Sequence, residues 1–391
     1  MKNGKNQHRR KLRATILLAF AFAFLVPVAA IAEILGSPEW GYTLDLPEGY
    51  SLVERKDTTR YHFTHSLYPV DLLIALYPKK QFDGAEKALS FIGNQLGTER
   101  QEVTFRWRNR DAAIGQVASD KNSGWTLAVE LAGGKGWLAL ACITGKDRAT
   151  ELEPLIISTL DSVITDEGSW FETGPMTAFA YAKQKAITGV YDDGKRKLEV
   201  PFDSVDAEAN QSVVDREFNL LTGYLNTPYV YAAWKRYYRL IYRDAWARLA
   251  KAGFILENNL PAEPEKIAAE LLSWTQGFTY ERNLKGSDFD NLPDAFMAKK
   301  ADCDSRSLLL VILLNQMGID AVLLVSPEYS HAVAAIDCPG TGAHYTLGNK
   351  KYLIADTTAK VGLGLIAEDM ADPAKWFAVS FPAFPQADEK K

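Results

Sequence analysis

Three residues of this chain have the types and the order of a thiol nucleophile machine: Cys303, His331 and Asp356. A thiol attacks a carbonyl carbon when an imidazole takes its proton and a carboxylate holds that imidazole in the right orientation. Cys303 lies in Ala301-Asp302-Cys303-Asp304-Ser305, just before an apolar run from Leu308 to Leu314. Asp302 is a good N-cap type, which places Cys303 in the first turn of a helix that Gly318 can end. Free backbone N–H groups and the helix dipole favour a thiolate there. The ordinary thiol pKa of about 8.5 is therefore expected to fall by roughly one to several units.

The elements that must position these residues follow in order. Residues 319–326 read as a buried strand, 327–330 as a turn, and 331–337 as a second strand. A further strand over 351–356 comes after a loop rich in Gly and Pro that also holds Thr341, His344 and Asn349. If the last two strands pair antiparallel with Asp337 opposite Lys350, His331 falls opposite Asp356, with Cα atoms about 4.5 to 5.5 Å apart. The carboxylate can then orient the imidazole. Two blander readings stand beside this one: a small buried cysteine at a helix start, and a zinc site, which no close-spaced ligand pair supports.

These pieces, with Trp274-Thr275-Gln276, Tyr280, Ser330-His331-Ala-Val and Ile354-Ala-Asp356-Thr-Thr358, make residues 264–364 resemble the transglutaminase-like superfamily in its bacterial, papain-related form. Ala301 departs from the pattern, where glycine commonly precedes Asp-Cys. The resemblance implies that Cys303 attacks an amide carbonyl, His331 shuttles the proton and Asp356 orients the imidazole. Gln276 would stand near the oxyanion with the Cys303 backbone N–H. The implied activity is that of an exported cysteine hydrolase cutting a peptide or isopeptide bond, with transamidation as the other direction. The alternative is a catalytically inactive transglutaminase-like protein that binds or scaffolds in the cell envelope.

With 391 residues, 47% of them hydrophobic, the chain is long enough for two domains and a leader. A net charge of −5 and a pI near 5.7 give no electrostatic case for nucleic acid. Lys2, Lys5, Arg9, Arg10, Lys11 and Arg13 precede an apolar run over 14–32 that ends Ala30-Ile-Ala32, the pattern of a signal peptide. Export to the periplasm or medium is expected, or membrane anchoring if the segment stays uncleaved. Of the three cysteines, Cys142 and Cys338 are the pair that could bridge the domains, with buried free thiols preferred.

Residues 33–165 alternate as strands around helices at 85–96 and 150–163, a pattern that resembles the Mog1/PsbP-type α/β sandwich with an antiparallel sheet. Leu46-Pro47-Glu48-Gly49 and Ser158-Thr-Leu-Asp-Ser162 carry that resemblance, which implies partner binding. His62 and His65, three apart on one strand, face opposite ways and are not expected to share a metal. Residues 166–229 read as a connector and 230–380 as the C-terminal α+β domain with its preceding helices, followed by a polar tail over 381–391. Within 230–251 the aromatic stripe Tyr231, Trp234, Tyr238 and Tyr242 is expected to pack on a domain, with the arginines on other faces. No phosphate loop or repeat is present, and no cofactor or metal is expected. The expected partner is a protein or peptide substrate.

Overall fold

Strand alternation builds the N-terminal region of the computed structural model, which describes residues 34–96, 99–282 and 287–381. The expected leader over 1–32 and residues 382–391 of the expected tail over 381–391 lie outside the described residues, whereas Phe381 stacks on Tyr242. The chain runs β1 (Ile34–Ser37), β2 (Tyr42–Asp45), β3 (Tyr50–Arg55), β4 (Arg60–His65), β5 (Val70–Pro78), α1 (Ala85–Leu96), β6 (Glu99–Trp107), β7 (Arg110–Ala118), β8 (Asn122–Glu130), β9 (Gly136–Gly145), α2 (Ala149–Asp161) and β10 (Val163–Ile164). Seven strands form an antiparallel sheet in the order β3-β4-β5-β9-β8-β7-β6.

One face of that sheet carries Ala75, Ala113, Ala128, Ala139 and Ala141, small enough for α1 to lie close with Ala88, Leu89 and Ile92. The other face carries Leu72, Ile74, Leu127, Val129, Leu138 and Leu140 against Leu152, Leu155 and Ile156 of α2. The period of two thus lays alanines under α1, with Tyr77 and Trp137 on the same face, and branched apolar residues under α2. Gly133 and Gly134 turn β8 into β9 with positive φ, as their pairing in the sequence suggests. Strand β3 is exposed from Ser51 to Arg55 and shows no alternation, so its sequence carries no strand period.

The rest of the chain is α3 (Pro175–Ala180), β11 (Ala186–Asp192), β12 (Lys197–Asp203), α4 (Asp206–Tyr224), α5 (Val230–Glu257), α6 (Pro264–Gln276), β13 (Thr279–Tyr280), α7 (Leu292–Ala298), β14 (Lys300–Ala301), α8 (Cys303–Gln316), β15 (Ala321–Ser326), β16 (His331–Ile336), β17 (His344–Leu347), β18 (Lys350–Ala355) and β19 (Phe377–Val379). The architecture is α+β, with antiparallel sheets in both the N- and C-terminal regions, as the patterning indicates. Within the stretch read as a connector, β11 and β12 form a hairpin around Gly194, and Tyr191, Val200 and Phe202 enter the main core. Among the described residues no helix is long and apolar enough to cross a membrane.

Helix α5 is buried on every side along Arg236–Tyr238 and Leu240–Ala245. Of its aromatic stripe, Tyr238 and Tyr242 are buried and Trp234 half-buried, whereas Tyr231 is exposed; Arg236 and Arg243 are buried too, with Arg239 and Arg248 half-buried. Arg239 grips the Asp45 carboxylate with two nitrogens at 2.8 and 3.1 Å. Arg236 donates to Asp45 O at 2.9 Å and to Glu217 Oε2 at 2.7 Å, while Arg243 donates to the carbonyls of Asp161 and Val163. These guanidiniums join the helices to the N-terminal sheet region.

His65 sits at the same junction. Its Nδ1 accepts from the Leu67 and Tyr68 N–H groups, so Nε2 carries the proton and faces the Tyr224 hydroxyl, which donates to Glu48 O. His62, on the opposite face, bonds Asp71 at 2.6 Å. Burial depresses the His65 pKa from 6.5 to about 4, so its stabilisation is complete above pH 6.5 and is lost as pH falls towards 4. That shift corresponds to roughly 3 kcal/mol. Burial raises Glu48 from 4.5 to about 7, so its slope has the opposite sign over 4.5 to 7 and flattens the wild-type profile. The expected result is therefore a difference: the stability gap between wild type and His65→Gln should shrink by roughly 3 kcal/mol from pH 7 to pH 4 in urea titrations.

Candidate functional site

Helix α8 begins as the sequence dictates. The Asp302 side chain caps it, accepting from Ser305 N at 2.8 Å, and Cys303 occupies the first helical position. Leu308 to Leu314 are all buried, so the helix is fixed by the core on every side.

Strand β16 pairs with β18 in the register Ala334–Ala355, Ala335–Ile354 and Ile336–Leu353. Extended, this sets Asp337 against Tyr352 rather than Lys350, a shift of two residues from the expected pairing. A two-residue shift keeps every side chain on its face. His331 therefore still reaches Asp356, with Nε2 3.4 Å from Oδ2 and 3.5 Å from the Thr358 hydroxyl. Asp356 Oδ1 accepts from Thr358 N, Thr358 Oγ1 and Ala359 N. Burial works to raise its pKa, but His331 and these donors outweigh burial and hold the carboxyl well below the usual range.

The thiol does not complete a triad. Ala332, Ala334 and Ile336 pack with the leucines of α8, whereas Val333 and Ala335 pack on the other side of the sheet with Trp376. By alternation His331 belongs with the latter, and its ring lies edge-on to Trp376 at 6.2 Å. The Cys303 thiol instead donates to Asp304 Oδ1 at 3.8 Å, and no hydrogen bond joins it to His331 among the described residues.

The electrostatics oppose the expected thiolate. Burial, then the Asp304 and Asp302 carboxylates, push the Cys303 thiol well above its ordinary value, against smaller help from the Ala332 backbone and Tyr280. The helix terminus favours an anion, but desolvation and two adjacent acids win. Burial also raises Asp302 and brings Asp304 to about 6; Asp304 accepts from the Tyr238 hydroxyl at 3.0 Å. The acids on either side of Cys303 stand in the sequence itself, and their charge is the signal there that opposes a thiolate.

Asp302, Cys303 and Asp304 each offer one ligand atom, all within 4.8 Å of one another. This group contains no histidine, and it has the make-up of a cation-binding cluster rather than of a protease centre. Gln276 is accounted for locally: its Nε2 donates to the carbonyls of Asp356 and Val361, both at 2.8 Å, and clamps that loop to α6. Beside it, α6 and the loop over 360–363 enclose an open cleft of about 480 Å³ lined by Leu272, Gln276, Lys360 and Leu363. All three cysteines are free thiols, so Cys142 and Cys338 form no bridge.

No family model matches the chain, and no curated protein matches it. Among solved structures, the cyanobacterial PsbP protein CyanoP of Synechocystis sp. PCC 6803 is 12% identical with a TM-score of 0.29, over 36% of this chain and 95% of that one. The Ran-binding protein Mog1p of Saccharomyces cerevisiae is 10% identical with a TM-score of 0.27, over 35% and 96%. A protein of Bacteroides thetaiotaomicron VPI-5482 is 11% identical with a TM-score of 0.20, over 80% and 88%. Likenesses this weak carry no family assignment. The expected transglutaminase-like membership, the cysteine peptidase or amide hydrolase activity and the Cys-His-Asp triad are accordingly corrected: no family model supports them, and the cysteine cluster has carboxylates where the triad needs an imidazole.

Proposed function

We propose that the chain is an exported, non-catalytic binding or scaffold protein of the cell envelope that takes a protein or peptide ligand. The observation that carries this reading is the environment of Cys303, a thiol kept neutral by burial first and by the acids beside it second, and bonded to Asp304 instead of an imidazole. A neutral thiol between carboxylates is a poor nucleophile. The cleft beside Gln276 supplies a concave surface of a size that suits a short segment of ligand. The basic and apolar leader supports placement in the envelope.

The thiol provides the first test. With Cys142 and Cys338 replaced, alkylation of Cys303 is expected to stay slow at pH 8 and to rise only above the ordinary thiol range. Asp304→Asn removes a carboxylate that is ionised at pH 8, so it should speed alkylation several-fold there. The second test incubates the wild type and Cys303→Ala with envelope proteins and peptidoglycan fragments. Equal retention of intact material by both supports binding. Cleavage by the wild type and not by Cys303→Ala would overturn it.

A further inference from the structure

Helix α1 covers β6 to β9 and leaves the β4–β5 end of the same sheet face partly open. Between them lies a pocket of about 270 Å³ whose floor is Leu73, Ala75, Ile92 and Leu96 and whose rim carries Lys56 and Arg60. We propose that this pocket binds a small single-chain amphiphilic carboxylate, with its aliphatic tail on the apolar floor and its head between the two cations.

The charges on the rim support an anion. Arg60 donates to the Thr59 hydroxyl and lies over the Tyr77 ring at 4.8 Å, and neither it nor Lys56 forms an ion pair with a carboxylate among the described residues. Asp57, the acid of this turn, is already bonded by Thr59 N and Oγ1. Glu54 and His62 also line the pocket and are paired across β3 and β4, but His62 is engaged by Asp71 at 2.6 Å. Lys56 and Arg60 thus stand against Glu54 in the lining, with the Asp57 carboxylate held in the turn beside Arg60. Unpaired guanidinium and ammonium groups beside an apolar floor offer charge-assisted hydrogen bonds to a carboxylate whose tail leaves water.

Size sets the ligand class. The volume is slightly below the roughly 300 to 1,000 Å³ usual for small-molecule sites, enough for one medium-length acyl chain and too little for a two-chain lipid. The floor is independent of the Cys303 region, so this inference stands or falls apart from the function proposed above.

The test is calorimetric titration of the full chain with decanoate below its aggregation concentration, beside octanoate, decyl maltoside and decyltrimethylammonium. Decanoate is expected to bind about tenfold more tightly than octanoate, since each buried methylene contributes roughly three- to fourfold. It should also bind more tightly than the neutral or cationic decyl compounds. Lys56→Ala, at an exposed position, and Arg60→Ala should each weaken decanoate severalfold and leave decyl maltoside unchanged. Absence of decanoate binding, or binding that ignores both the head-group charge and these two substitutions, would overturn the proposal.

Discussion

Replacing Glu217 by alanine is expected to lower the unfolding free energy by about 3 to 5 kcal/mol, a large part of the roughly 5 to 15 kcal/mol that holds a typical domain. Glu217 is 2% exposed and accepts from Arg236 at 2.7 Å, Arg216 at 2.9 Å and the Ser158 hydroxyl at 3.1 Å. Without it, Arg236, itself 3% exposed, keeps the Asp45 carbonyl but loses its nearest carboxylate. The cost is mainly that of a buried cation left with only the Asp45 carboxylate, 3.7 Å away and already gripped by Arg239. Urea denaturation of the single variants and of Glu217→Leu with Arg236→Met separates the contributions. The double variant should recover part of the loss, because removing both charges also removes their desolvation. If Glu217→Ala costs under about 1 kcal/mol, the pair is wetter than its burial implies.

The same residues show where the sequence is informative. The period of α1 is read to the residue from Ala85 to Leu96, because its apolar side chains repeat on one face over small sheet residues. The Asp302 cap is equally legible, since a local hydrogen bond needs no distant partner. Arg236 and Arg243 are not: a helix wheel places them away from the aromatic stripe, and only the tertiary fold reveals that a second surface covers that side. The β11–β12 hairpin hid behind Gly189, Pro201 and the Asp192-Asp193-Gly194 turn, which in one dimension look like a loose linker. In the candidate site, parity on the sheet was enough to bring His331 to Asp356 despite a two-residue error in register. What parity could not give was the state of Cys303, which depends on burial and on the summed charge of Asp302 and Asp304.

Arg306→Leu is the second substitution with a large expected effect, about 3 kcal/mol or more, and its consequences reach the candidate site. The guanidinium is 2% exposed and donates to Ala301 O and Phe278 O at 3.0 Å and to Thr357 O at 3.4 Å, with its central carbon 5.4 Å from the Tyr280 ring. One side chain thus ties together the residue before the α8 cap, the entry to β13 and the loop that follows Asp356. Leucine fills much of the volume but leaves three carbonyls without this donor, each worth about 1 to 3 kcal/mol if it stays dry. Lysine keeps the charge yet lacks the planar fork, so Arg306→Lys should retain only part of the stability. The local readout is hydrogen exchange. Amides at 278–281 and 357–361 should exchange faster in Arg306→Leu under conditions where the β5–β9 amides remain protected. Uniform acceleration across the chain would instead make Arg306 a determinant of global stability with no special hold on the loop that carries Asp356.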